Sequence, residues 1–187
     1  MLLKWIKILL IVCLAPVTMG LMILYLDITS ASFSIAFNFA LMFWFAIVDA
    51  QFKPSLNSSY FDTLPFEKDG KFYRMLGVEW YQAVLVKSGW EKLRQKQTPV
   101  RKSLHDIRAY ERATRVTEMG HLVVGAIVLV LTTYVLIAYS IRDALWLIFT
   151  NLFLNIYPVL LQRYIRPRFR RMIERFEKAA VSSNAVS

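Results

Sequence analysis

Four long apolar runs, grouped in two pairs, set the pattern of this chain. Ile8 to Leu26 is 19 residues without a charge, and Ala31 to Val48 follows after the polar interval Asp27 to Ser30. His121 to Ile141 and Ala144 to Leu161 form the second pair, separated only by Arg142-Asp143. A hydrocarbon core of about 30 Å is crossed by about 20 helical residues. The pattern therefore predicts an all-α integral membrane protein: one membrane domain, 1–187, with spans at about 8–26, 31–48, 121–141 and 144–161. Ser30-Ala31-Ser32 offers the small residues of a leader-cleavage site, but the first run exceeds the usual apolar region of roughly 7 to 15 residues. It reads as a retained span.

Between the pairs, residues 49–120 hold most of the charge, yet Phe61, Phe66, Phe72, Tyr73, Trp80, Tyr81 and Trp90 lie among the lysines and arginines. Mixed aromatic and cationic surface suits the edge of a bilayer. Phe72, Leu76, Trp80 and Val84 recur every fourth residue, as expected of a helix lying in the headgroup region or of a small soluble packing face. Gln95 to Pro99 reads as a turn, because Pro99 disfavours helix at Thr98. A helix is expected from Arg101 into the third span. Residues 162–187 form a basic tail whose end, Ser182 to Ser187, reads as frayed.

Composition agrees: 57% hydrophobic residues, 19% charged residues and a mean hydropathy of +0.43 are too apolar for an ordinary soluble domain. Cys13, the one cysteine, excludes an intrachain disulfide or a cysteine-built metal site. The net charge of +10 has no nucleic-acid-binding motif to go with it, and anionic lipid and membrane orientation account for it better. Of 23 lysines and arginines, 22 lie in residues 1–7, 49–120 or 162–187, leaving only Arg142 opposite. That asymmetry places both termini and the long loop in the cytoplasm, with the protein multi-pass in a bacterial cytoplasmic membrane.

Polar positions inside the apolar runs point to chemistry. Asn151, Asn155, Pro158, Gln162 and Arg166 recur at helical spacing, so an otherwise apolar span has one polar face, which must meet another helix or a wet cavity. Glu118 and His121 are adjacent on one helix face, with Glu111 and Thr114 continuing the stripe. Counting equal rise from a turn between Arg142 and Asp143 puts Tyr164 level with His121 and Pro167 level with Glu118. A histidine oriented by a carboxylate can take a proton from an alcohol, while arginines or an amide steady an oxyanion or phosphates. The other reading is that Glu118 simply pairs with Arg115 or Arg163 and His121 is an ordinary interfacial residue. Metal-binding carboxylate bundles need a second Glu-x-x-His pair, and the chain has only one other histidine, His105. No metal is expected.

Three stretches together carry a resemblance: Pro65-Phe66-Glu67-Lys68-Asp69-Gly70-Lys71-Phe72-Tyr73; then Thr114-Arg115 with Glu118 and His121; then Asn155, Pro158 and Gln162-Arg163-Tyr164 with Arg166-Pro167-Arg168. The chain resembles the glycosyl-4,4'-diaponeurosporenoate acyltransferases, which finish staphyloxanthin-type carotenoids. It departs from their pattern at Tyr81, Gln82, Val86 and Ile165. The resemblance implies esterification of a sugar hydroxyl on a glycosylated isoprenoid or related lipid by a fatty acyl group. Acyl-CoA or another activated acyl group would be the donor, and no cofactor is required.

Two functions stay open. As an enzyme, the chain would use His121 as base, Glu118 to fix its tautomer and Gln162 or Asn155 to steady the oxyanion. Arg163, Arg166 and Arg168 would hold the donor, and Glu67, Gly70, Tyr73, Thr114 and Arg115 would line the substrate site. As a non-catalytic lipid-binding or assembly protein of an isoprenoid pathway, it would use the same residues for a headgroup and the aromatic loop for a pathway enzyme.

Overall fold

In the computed structural model, which describes residues 2–89 and 103–184, every regular element is helical. Trp90, the expected turn at Gln95–Pro99 and the expected helix start at Arg101 lie outside the described residues. The elements are α1 (Leu2–Tyr25), α2 (Ala31–Phe52), two 3₁₀ turns (Ser59–Phe61 and Pro65–Glu67), α3 (Lys71–Met75), α4 (Val78–Lys87), α5 (Leu104–Ala138), α6 (Ile141–Asn151), a π-helical segment (Leu152–Ile156) and α7 (Tyr157–Asn184). Four helical stretches are long and apolar enough to cross a membrane, as the sequence predicts. The chain divides into two compact units, residues 1–55 with 119–156 and residues 56–118 with 157–187.

In the first unit, Ser30 caps α2 by accepting the Phe33 N–H (3.1 Å), and α2 then presents Phe33, Phe37 and Leu41 along one face. These pack with Val124, Val128 and Val135 of α5 and Ala144 and Leu147 of α6 into a buried core. The Trp44 indole donates to the Thr18 hydroxyl (2.9 Å), tying α2 to α1.

The turn between the third and fourth spans falls at Tyr139-Ser140, not at Arg142-Asp143 as expected. Ser140 is the reason. Its hydroxyl accepts from the Asp143 N–H and donates to the Asp143 carboxylate (2.7 Å), so Arg142 and Asp143 become first-turn residues of α6, where an acid suits the helix dipole. The π-helical turn also has a local cause. Pro158 has no N–H to offer the Leu154 carbonyl four residues back, and a widened turn absorbs the missing bond.

In the second unit, the single helix expected from Phe72 to Val84 is two helices, because Gly77 (φ +76°) turns the chain between α3 and α4. Phe72 and Leu76 therefore do not continue the face of Trp80 and Val84, although Phe72, Leu76 and Trp80 are all exposed. Gly70 (φ +66°) starts α3 against the Tyr164 ring, where a Cβ would lie 2.7 Å from Cε2. Gly70→Ala combines left-handed strain with a clash and should cost about 1–3 kcal/mol. Thermal unfolding in detergent checks this, and an unchanged midpoint would show that the ring gives way.

Candidate functional site

All three resembling stretches contribute to one buried ionic cluster in the second unit. Glu118 of α5 is completely buried, and its carboxylate accepts from the Tyr60 hydroxyl (2.9 Å), from Arg163 Nε (2.8 Å) and from Arg166 Nη2. Glu67 accepts from the Tyr73 hydroxyl, the Leu64 N–H (2.8 Å) and Arg163 Nη1 (3.0 Å). Arg163 thus bridges two carboxylates, while its Nη2 donates to the Tyr60 carbonyl (2.9 Å) and its guanidinium lies 4.6 Å from the Tyr60 ring centre. Arg166 donates through Nε to the Thr114 hydroxyl (3.0 Å) and stacks over Phe61. Two carboxylates and two guanidiniums leave the cluster neutral, and charge-assisted bonds surround each buried charge, which makes such burial tolerable.

The same face of α5 continues the pattern. Arg115 forks onto Glu111 and donates to the Leu56 carbonyl (2.7 Å), while Arg170 reaches both Glu111 (3.2 Å) and Asp62 (3.1 Å). Tyr164 donates to Glu79 (2.6 Å) and accepts from Arg168 (2.6 Å). Gln162 is buried.

These contacts set the proton affinities. Burial alone would raise the Glu67 carboxyl, but Tyr73, the Leu64 N–H and Arg163 outweigh it and hold it below the ordinary glutamate value. Tyr73 is pushed well up, by burial first and by its bond to Glu67 second. Tyr60 is raised by burial, with Arg163 opposing and Glu118 adding to the shift. Burial takes Tyr81 to about 12. None of these tyrosines is a base at neutral pH.

In the first unit, buried amides form a second polar cluster. Asn155 Nδ2 donates to Asn38 Oδ1 (2.6 Å) and to Asn151 Oδ1 (3.0 Å). Asn151 donates in turn to the Gly125 carbonyl (3.1 Å), and Asn38 to the Ser34 carbonyl (2.8 Å). The His121 ring lies against the Asn155 side chain and the Leu154 carbonyl, and its buried Nδ1 has no hydrogen-bond partner among the described residues. A Cβ on Gly125 would come within 3.2 Å of Asn155, so glycine makes room for the amides.

The expected constellation is thus redistributed. Glu118 was expected to orient His121, but its oxygens are occupied by Tyr60, Arg163 and Arg166, while His121 belongs to the other unit and has Asn155 beside it. Asn155 was expected as an oxyanion donor, but its amide nitrogen is taken up by Asn38 and Asn151. Arg163 and Arg166 were expected to hold the acyl donor, and both are turned onto the protein itself. The shifted turn explains part of this. In the second unit, Thr114 faces Arg166 and Glu111 faces Arg170, pairings spaced about Ser140 rather than about Arg142-Asp143. Sequence reasoning missed Tyr60, Glu79, Asp62 and Asn38. Asn38 alone left a signal, as the one amide in the apolar run Ala31–Val48.

A family model described as glycosyl-4,4'-diaponeurosporenoate acyltransferase matches residues 57–175, and no curated protein or solved structure matches the chain. The matched region holds every member of the ionic cluster as well as His121, Asn151 and Asn155, and begins after the first two spans, so Asn38 lies outside it. The match covers well over half of the sequence, and this membrane protein belongs to the glycosyl-4,4'-diaponeurosporenoate acyltransferase family.

Proposed function

We propose that the chain transfers a fatty acyl group from acyl-CoA, or another activated acyl donor, to a sugar hydroxyl of a glycosylated isoprenoid, with His121 as general base. The observation that carries the assignment is the buried His121 Nδ1 without a partner. The buried carboxylates Glu67, Glu111 and Glu118 are all held by arginine, so protonating any of them breaks an ion pair. His105 is almost fully exposed beside Asp106. His121 would take the hydroxyl proton as the sugar oxygen attacks the acyl carbonyl. The carbon–sulfur bond of a thioester donor then breaks, and the imidazolium returns the proton to the departing thiolate. In the second unit, Arg163 and Arg166 are engaged by Glu67 and Glu118 and maintain the fold.

The test is reconstitution of the full chain in lipid vesicles with a glycosylated carotenoid and a long-chain acyl-CoA, reading the ester by mass spectrometry. Ester formed only with intact protein supports the reading. Its absence would favour the non-catalytic, lipid-binding alternative, for which the mutual satisfaction of Glu67, Glu118, Arg163 and Arg166 is the favouring observation.

Residues 49–120 and the C-terminal tail then lie on the cytoplasmic face, a placement supported by the 22-to-1 division of basic residues. In a Cys13→Ser background, a cysteine replacing the exposed Ser88 should resist a membrane-impermeant thiol reagent in intact cells and react after permeabilisation. Labelling from outside the cell would invert the topology.

A further inference from the structure

Two backbone carbonyls at opposite ends of the amide cluster fix its polarity. The Ser34 carbonyl can only accept, so Asn38 turns its NH2 towards it and is left presenting Oδ1 to Asn155. From the other side, the Gly125 carbonyl draws the NH2 of Asn151, which likewise presents Oδ1 to Asn155. Both N–H bonds of the Asn155 amide are thereby engaged, and only its carbonyl oxygen remains. That oxygen accepts and cannot donate, and the same is true of the Leu154 carbonyl beside the ring, so a neutral His121 must turn an N–H towards the pair. One tautomer satisfies this contact, and the other places a bare nitrogen against a bare oxygen.

We propose that Asn38, acting through Asn155, is a positioning residue that fixes the tautomer of His121 together with the Leu154 carbonyl. The assignment rests on His121 being the base, and it extends the working site to the second span, outside the region matched by the family. Asn38 also ties α2 to the last span as a polar interhelical contact. It is 3% exposed, its neighbours on the same helix face are Ser34 and Leu41, and an amide there is costly unless every bond is made. The Thr150 hydroxyl, 3.4 Å from Asn38 Nδ2, completes its surroundings.

The test reads the ring directly. In a His105→Gln background, His121 is the only histidine, and ¹⁵N-histidine-labelled protein in lipid vesicles reports its tautomer by solid-state NMR at a pH where the ring is neutral. The unaltered Asn38 protein should show one tautomer. Asn38→Leu removes an acceptor from Asn155 and frees that amide to turn its NH2 to the ring in competition with the Leu154 carbonyl, which should give a mixture. Asn38→Asp, protonated in this apolar setting, still donates to Ser34 and accepts from Asn155, and should restore the single form. In the acyl-transfer assay Asn38→Leu should lower kcat on the order of ten- to a hundredfold with KM unchanged, as expected of misorientation rather than lost binding. A single unchanged tautomer in Asn38→Leu overturns the proposal, and if that variant does not fold, mixed tautomers in the Asn38 protein overturn it equally. A fixed tautomer that Asn38→Leu disturbs, in a chain that makes no ester, would retain the relay and discard the acyl-transfer reading.

Discussion

Replacing Glu118 by leucine is expected to destabilise the second unit by about 3–5 kcal/mol, the cost of leaving a buried charge without its partner. Arg166 is the side chain left exposed to that cost. It is 2% exposed, and Glu118 is its acidic partner among the described residues, whereas Arg163 keeps Glu67. The double substitution Glu118→Leu with Arg166→Met removes both charges and should recover most of the loss, because a buried pair replaced by apolar side chains of similar volume is often close to neutral. Unfolding midpoints of the three proteins in one detergent, compared as a double-mutant cycle, measure the coupling. If Glu118→Leu melts with the parent protein, the pair contributes nothing to the fold and Arg166 must be hydrated.

His121→Ala should lower acyl transfer by about 10² to 10⁴, the range associated with loss of a general base, at matched protein levels and with the ionic cluster intact. The contrast with Glu118 gives the experiment its force. Truncating His121 breaks no ion pair, and what it costs the fold is the packing of the ring and its contact with Asn155, so the unfolding midpoint should move less than in Glu118→Leu. Loss of turnover with the melting curve preserved identifies a chemical role. Near-normal turnover by His121→Ala would remove the base assignment and return the histidine to a structural part.

Much of the architecture was legible because apolar run length and charge are local properties of a sequence. The four spans and the tight hairpin of the last two follow from them, as does the burial of Asn151, Asn155, Gln162 and Arg166. The turn was misplaced because Arg142-Asp143 is the more polar pair, while the capping geometry belongs to the less conspicuous Ser140. The pairing of Glu118 was ambiguous for a different reason. An E-x-x-H spacing puts two side chains on one face but says nothing of competitors arriving from elsewhere, and two arginines 45 and 48 residues away supply stronger partners. Tyr60 and Asp62 were invisible because loop residues carry no periodicity to show which way they face.

The ionic cluster also bears on how the protein is made. Its acidic members precede their basic partners in the chain by 96 residues at Glu67 and by 45 to 48 at Glu118. During synthesis the carboxylates therefore leave the ribosome first and wait, in a segment rich in exposed aromatic rings, until α7 follows. The second unit closes only when Arg163 and Arg166 arrive. A product cut short before them retains Glu67 and Glu118 with no cation to bury against, and stays open to the proteases that remove unfolded chains. The arginines of the last helix thus act as a completion signal, letting only a chain translated through its fourth span become a stable protein.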